Sequence, residues 1–130
     1  VFIGRIGSDE FGKRFIDQFK DLEVNINFLQ LDTNLPTRIV KVNRNSFGDR
    51  YFSGFDTSVN TVFADEALDM NEMKKDMQRL EKLFLKTKYI VCGTIILSSS
   101  SSADSIHFLL KIAKIYYLFG GISLLLENRQ

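Results

Sequence analysis

The stretch Tyr89–Leu97, YIVCGTIIL, runs for nine residues without a charged side chain. A strand with one wet face alternates apolar and polar residues. A run without that alternation reads as a strand covered on both faces, the condition of parallel strands in α/β sheets. Two further segments read as buried strands: Val1–Ile6 (VFIGRI), apolar but for Gly4 and Arg5, and the ISLLL near the end of the chain. Parallel strands need crossover connections, and segments of helical period lie where those connections fall. Phe11, Phe15, Phe19 and Leu22 step by four, four and three residues, one face of a helix whose first turn holds Asp9 and Glu10. NEMKKDMQRLEKLFL reads as a helix which, with Met70 just before it, carries a stripe of Met70, Met73, Met77, Leu80 and Phe84, expected to pack against a sheet. The Met-rich stripe also suits a promiscuous groove, a reading that core packing outweighs. A third helix is expected over Ala103–Phe119, with Ile106, Leu109, Leu110, Ala113 and Tyr116–Tyr117 on its apolar side and Gly120-Gly121 at its end.

One element breaks the alternation. TRIVKVNR (37–44) and RYFSGF (50–55) are strand-like and flank NSFGD, a turn signal, so they read as a β-hairpin. Val24–Leu31 reads as a short strand, and a short helix is expected near Phe63–Leu68. The serine run 98–102 reads as a flexible loop ending in a helix cap at or near Ser102. The expected order is strand, helix, strand, hairpin, helix, strand, helix, strand. This is an α/β sheet with flanking helices and an appended β element.

Composition narrows the function classes. Seventeen basic and sixteen acidic residues leave a net charge of +1. That balance gives no electrostatic case for nucleic acid or an anionic membrane surface. No apolar run reaches the ~18 residues of a membrane span. A single cysteine forbids an internal disulfide and suits a reducing compartment, cytoplasmic or plastid. Cys92, within the apolar run, reads as a small inert hydrophobe, and His107, beside its helix stripe, as solvent-facing. No His/Cys/Asp/Glu cluster has metal-ligand spacing.

The ordered motifs carry a resemblance. FIGRIGSDEFGKRFIDQFKDLEVN resembles the strand–helix segment of PfkB-type, ribokinase-like carbohydrate kinases. PTRIVKVNRNSFGDRYFSGF is similar to the lid segment that follows it. FADEAL, YIVCGTIIL and the 103–119 helix continue in the family's order, closest to the fructokinase-like branch. The resemblance implies a ribokinase-like, mostly parallel sheet with flanking helices plus a small β-hairpin lid. Residues 1–130 would form part of that domain, with 32–56 as the lid segment. It also implies an opening strand that lies in mid-domain, because the family's Gly-Gly…Asn sugar motif precedes this point. The Gly-Ala-Gly-Asp motif with the catalytic Asp follows it.

The expected function is thus part of an ATP-dependent sugar kinase, with ATP and Mg2+ as cofactors and a fructose-like substrate favoured. No catalytic residue and no metal ligand is expected in this chain. Substrate contacts implied by the resemblance are Thr37, Phe55 and Asp56 on the lid, Gly93 and Thr94 at a strand end, and Arg129 near the family's D-x-N-x-R strand end. Each has a local alternative. Phe55 serves as lid packing, Thr37 and Asp56 as turn formers, Gly93 as close backbone packing and Arg129 as a solvated terminal charge. Three departures stand out. Leu125 and Glu127 replace the usual Asp and Asn, Asp56 stands where several sugar kinases carry an Arg, and Glu23 fills the slot of a helix-ending Gly. They motivate an alternative, a non-catalytic fructokinase-like structural subunit of a larger complex. A homodimer formed through the lid, acting as a sugar sensor, is a third reading.

Overall fold

Helix and strand periodicities map onto twelve elements, in a computed structural model that describes residues 1–55, 62–120 and 123–127. The chain divides into two units, Val1–Asp65 and Glu66–Gln130.

In the first unit, β1 (Ile3–Gly7) runs into α1 (Glu10–Asp21), which returns to β2 (Phe28–Asp32). The two strands pair in parallel, from Ile3 opposite Phe28 to Gly7 opposite Asp32. The strand expected from Val24 starts four residues later. Asn25 instead caps a turn by accepting from the Asn27 amide, while its own carbonyl accepts from Phe2. Asp9 is the N-cap of α1, its carboxylate accepting from the Gly12 amide at 2.8 Å. The apolar face of α1 seats Phe15 and Phe19 against Phe2, with ring centroids 4.3 to 5.5 Å apart. Phe11 and Leu22 lie exposed at the ends of that face.

The end of α1 is a Schellman motif. The Val24 amide donates to the Phe19 carbonyl and the Glu23 amide to the Lys20 carbonyl. The residue in the left-handed position is Glu23, at φ +54°, where the resemblance calls for glycine.

The hairpin is β3 (Val40–Arg44) and β4 (Arg50–Phe55), antiparallel, with a bulge where the register shifts between Lys41 and Val42. Asn45 organises its turn, its side-chain oxygen accepting from the Phe47 and Asp49 amides. Gly48 takes φ +86°, the conformation the turn sequence anticipates. Every residue of β3 is exposed.

A single turn of 3-10 helix, Ala64–Ala67, includes the last residues of the first unit and the first of the second, and occupies the place of the expected short helix. In the second unit the Met-striped helix is broken in two, α2 (Met70–Lys74) and α3 (Met77–Lys86). Asp76 leaves helical geometry at φ −121°, ψ 44°. The stripe survives the break, because Met73, Leu80 and Phe84 are all buried. β5 (Tyr89–Gly93) pairs in parallel with β6 (Ser123–Glu127), and α4 (Ser100–Gly120) connects them. Burial of Ile106, Leu109 and Ala113 bears out the α4 stripe, with Ile112 added to it.

Three expectations fail in this unit. The run 89–97 does not stay a strand, since β5 ends at Gly93 and Ile95–Ser98 winds into a 3-10 turn. Nor is β5 covered on both faces: Cys92 is buried while Tyr89 and Val91 are 65% and 62% exposed. The serine run is not a flexible loop either. Ser100 to Ser102 form the first turn of α4, and the hydroxyls fasten the residues before α2. Ser102 Oγ accepts from the Leu68 amide at 3.1 Å. Ser105 Oγ donates to the Leu68 carbonyl at 2.6 Å, as does Ser101 Oγ at 3.1 Å. Ser99 Oγ donates to the Glu66 carbonyl. Ser102, Ser105 and Leu68 are fully buried, so these hydroxyls satisfy backbone groups that water cannot reach. Among the described residues, no helix is long and apolar enough to cross a membrane.

Candidate functional site: strand ends and the root of the hairpin

In parallel sheets, ligands gather beyond the carboxyl ends of the strands. In the first unit that position is the turn after β1, where the chain entering the hairpin crosses it. Asp9 holds the crossing. Besides capping Gly12, its carboxylate accepts from the Thr37 amide at 2.7 Å and the Thr37 hydroxyl at 2.8 Å. The same hydroxyl accepts from the Gly7 amide at 3.0 Å. Burial pushes the Asp9 carboxyl upward, but the bonds from Thr37 and Gly12 outweigh it and hold the group below the ordinary aspartate range.

The glycines are required by this packing. A Cβ on Gly12 would sit 1.9 Å from the Gly7 carbonyl oxygen, and one on Gly7 would sit 2.6 Å from the Thr37 amide nitrogen. The G-S-D-E-F-G spacing therefore serves a backbone crossing.

A buried polar pair lies at the end of β2. Arg5 donates to Asp32 through Nε at 2.9 Å and approaches it through Nη2 at 2.8 Å, while Nη1 reaches Gln30 at 3.2 Å. Asp32 also accepts from the Asn34 and Leu35 amides, which turn the chain toward Pro36. Those amides first, and Arg5 after them, draw the Asp32 carboxyl below its ordinary value against the opposing effect of burial.

The two legs of the hairpin are joined at their root. The Ala64 amide donates to the Pro36 carbonyl at 2.9 Å. Arg38 Nε donates to Asp65 at 2.8 Å, and its guanidinium lies 4.5 Å from the centre of the Phe63 ring.

Of the residues singled out in the sequence, Thr37 lies in this crossing with its hydroxyl engaged on both sides. Phe55 ends β4, paired with Val40. Its side chain, Asp56 and Arg129 lie outside the described residues. In the second unit, Gly93 ends β5 opposite Glu127, and Thr94 follows it. Among the described residues, a Cβ on Gly93 would meet no atom within 4 Å. Thr94 is exposed.

Sequence reasoning missed Asp9, Arg5, Gln30 and Asp32. Gln30 and Asp32 are buried while Leu31 between them is 52% exposed, so β2 presents its polar residues inward. The available signal was Arg5 set in an otherwise apolar strand, a charge that needs a partner. Exposed His107 borders a groove of about 510 Å3 with Met70, Lys74, Asp104, Phe108 and Lys111. Burial raises the pKa of Cys92, in keeping with an inert thiol. Among the described residues, no group of three His, Cys, Asp or Glu side chains could hold a metal ion.

The architecture has known counterparts. The chain superposes on fructokinase from Xylella fastidiosa with a TM-score of 0.73 at 22% identity, covering 98% of this chain and 36% of that one. Fructokinase from Vibrio cholerae O395 gives 0.69 at 23% identity, covering 98% and 39%. A probable fructokinase-5 from Arabidopsis thaliana is 32% identical over 84 residues, 65% of this chain and 25% of that protein. No family model matches the chain. The fold is that of the ribokinase-like, PfkB-type sugar kinases. More narrowly, the neighbours include several fructokinases, and the chain spans between a quarter and two fifths of the length of those named here.

Proposed function

We propose that this chain supplies the lid and one wall of the sugar site of an ATP-dependent carbohydrate kinase, fructose-like substrates being favoured. The observation that carries the reading is a hairpin rooted at the carboxyl end of a parallel strand pair, within a fold shared with fructokinases. A β-lid in that position covers a bound sugar and excludes water, so that the phosphoryl group passes to the sugar hydroxyl and not to solvent. Residues 32–56 form the lid segment. Phe55, Asp56, Gly93, Thr94 and Arg129 are proposed as the chain's substrate contacts, on the strength of the resemblance. Thr37 sits at the root of the lid.

The described residues offer no metal-ligand set and no glycine-rich phosphate cradle. The base, the anion cradle and the sites for ATP and Mg2+ are assigned to residues outside this chain. Fructokinase from Xylella fastidiosa has been solved with ATP, and that from Vibrio cholerae with fructose, ADP and calcium. These support a nucleotide-dependent reaction. The test is to assay the full-length gene product with Mg-ATP and a panel of sugars. Phosphorylation of a ketohexose supports the reading; inertness toward every sugar overturns it.

A second reading, a non-catalytic structural subunit, draws on Leu125 and Glu127 in β6. It predicts no nucleotide binding, so measurable ATP affinity of the full-length protein would sink it. Pairing of two copies through the lid, as an enzyme or a sugar sensor, is supported by exposed Val42, Tyr51 and Phe52 on the hairpin. A protein that stays monomeric at high concentration in sedimentation would exclude that dimer. One cysteine suits a reducing compartment, cytoplasmic or plastid.

A further inference from the structure

We propose that Asp9 is a positioning residue for the lid, fixing the root of the hairpin against the β1–α1 turn so that β3 and β4 move as one arm over the sugar. The proposal rests on the kinase reading above. Four observations carry it. First, one carboxylate serves two masters, the α1 N-terminus through Gly12 and the hairpin root through both polar groups of Thr37. Charge-assisted bonds of this kind are about twice as strong as neutral ones. Second, the Thr37 hydroxyl is spent on Asp9 and the Gly7 amide, so Thr37 acts on a sugar through position and not through its own hydroxyl. Third, the outgoing leg is tied to the incoming one through Ala64–Pro36 and Arg38–Asp65. Fixing Thr37 therefore fixes the incoming leg and, through these bonds, the chain at Ala64 and Asp65. Fourth, the arm above the root is open to solvent: all of β3 is exposed, Phe52 is 74% exposed, and the tip residue Phe47 is 89% exposed. A clamped base below an exposed arm suits a lid, and Gly7 and Gly12 leave the base no slack.

The test uses the full-length gene product with Asp9→Asn, Thr37→Val and the double variant. An Asn at position 9 keeps an acceptor for one amide but turns an NH2 toward the remaining donors. Valine keeps the volume of Thr37 and loses the hydroxyl, and it leaves the cap on Gly12 intact should Asp9→Asn fold poorly. Each single variant is expected to raise the sugar KM about tenfold, a coupling of about 1.4 kcal/mol, with the KM for ATP nearly unchanged. Each should also raise the ATP hydrolysed per sugar phosphorylated, because a loose lid admits water. The double variant should be no worse than the worse single one, since both cut the same link. An unchanged sugar KM, or losses that add, overturns the proposal.

If the wild-type protein phosphorylates no sugar, the kinase reading fails separately. The clamp is then decided by hydrogen exchange on the 130-residue chain. The Thr37 amide should exchange at least about tenfold faster in Asp9→Asn, together with the amides of β3 and β4. Thr37 exchange equal to wild type overturns the clamp.

Discussion

Replacing Glu23 by glycine should stabilise the protein. Glu23 closes α1 in the left-handed conformation at φ +54°, with both Schellman bonds made. For a residue with a Cβ that conformation costs roughly 1–2 kcal/mol. Glycine relieves the cost, but its freer unfolded chain returns about 0.4–1 kcal/mol. The carboxylate also lies at the negative end of the helix dipole, and removing it contributes a few tenths of a kcal/mol. The net expectation is a gain of about 1 kcal/mol. With an unfolding entropy of about 2.1 cal/mol/K per residue over 130 residues, that raises Tm by roughly 4 °C. In urea the midpoint should rise by about 0.5 M at unchanged slope, for a slope near 2 kcal/mol/M. Glu23→Ala separates the causes, since it removes the charge and keeps the Cβ. It should gain a few tenths of a kcal/mol at most. A Glu23→Ala variant as stable as Glu23→Gly, or a Glu23→Gly variant no better than wild type, would refute the strain argument.

Ser102→Ala should destabilise by about 1–3 kcal/mol, because the buried Leu68 amide loses its acceptor; urea denaturation measures it. Gly12→Ala should cost about 3 kcal/mol or abolish folding, since the new Cβ collides with a backbone carbonyl and not a movable side chain. Arg5→Met should cost about 3–5 kcal/mol by leaving the buried Asp32 carboxylate without its guanidinium. Acid unfolding has a definite sign. Asp9 and Asp32 are both held below the ordinary aspartate pKa of about 4, so their contribution is complete above it and is lost as pH falls through that value and lower. Urea midpoints taken between about pH 6 and pH 2 should fall in that window. Arg5→Met should retain most of the slope, because the Asn34 and Leu35 amides depress Asp32 more than Arg5 does.

What the sequence disclosed was what local periodicity encodes. Phe15 and Phe19 stack on Phe2, and Met73, Leu80 and Phe84 became a buried face, because helical spacing alone decides which residues share a side. The hairpin turn was legible because Asn45 and Gly48 act within five residues of one another. Thr37 was reached through the resemblance, but its partner was not. Asp9 lies 28 residues away, and the bond between them exists only because β1 and β2 bring the two turns together. The serine run fails for the same reason. A hydroxyl-rich segment with no local partner resembles a loop, and only folding places Leu68 within reach of Ser101, Ser102 and Ser105.

The half-covered β5 is the most informative of these failures. Charge-free composition records the surroundings a strand is selected for, and Tyr89 and Val91 are composed for cover that the described residues do not provide. Burying an aromatic or branched side chain is worth roughly 1.5–3 kcal/mol, so two such residues left in water on one strand are a standing liability. The chain spans 36% of the length of the Xylella fastidiosa fructokinase that shares its fold. The hairpin differs in kind. Val42 and Phe52 pair in register and share one face, Asn43 and Tyr51 pair on the other, and all four are exposed. Its composition therefore records no single covered face.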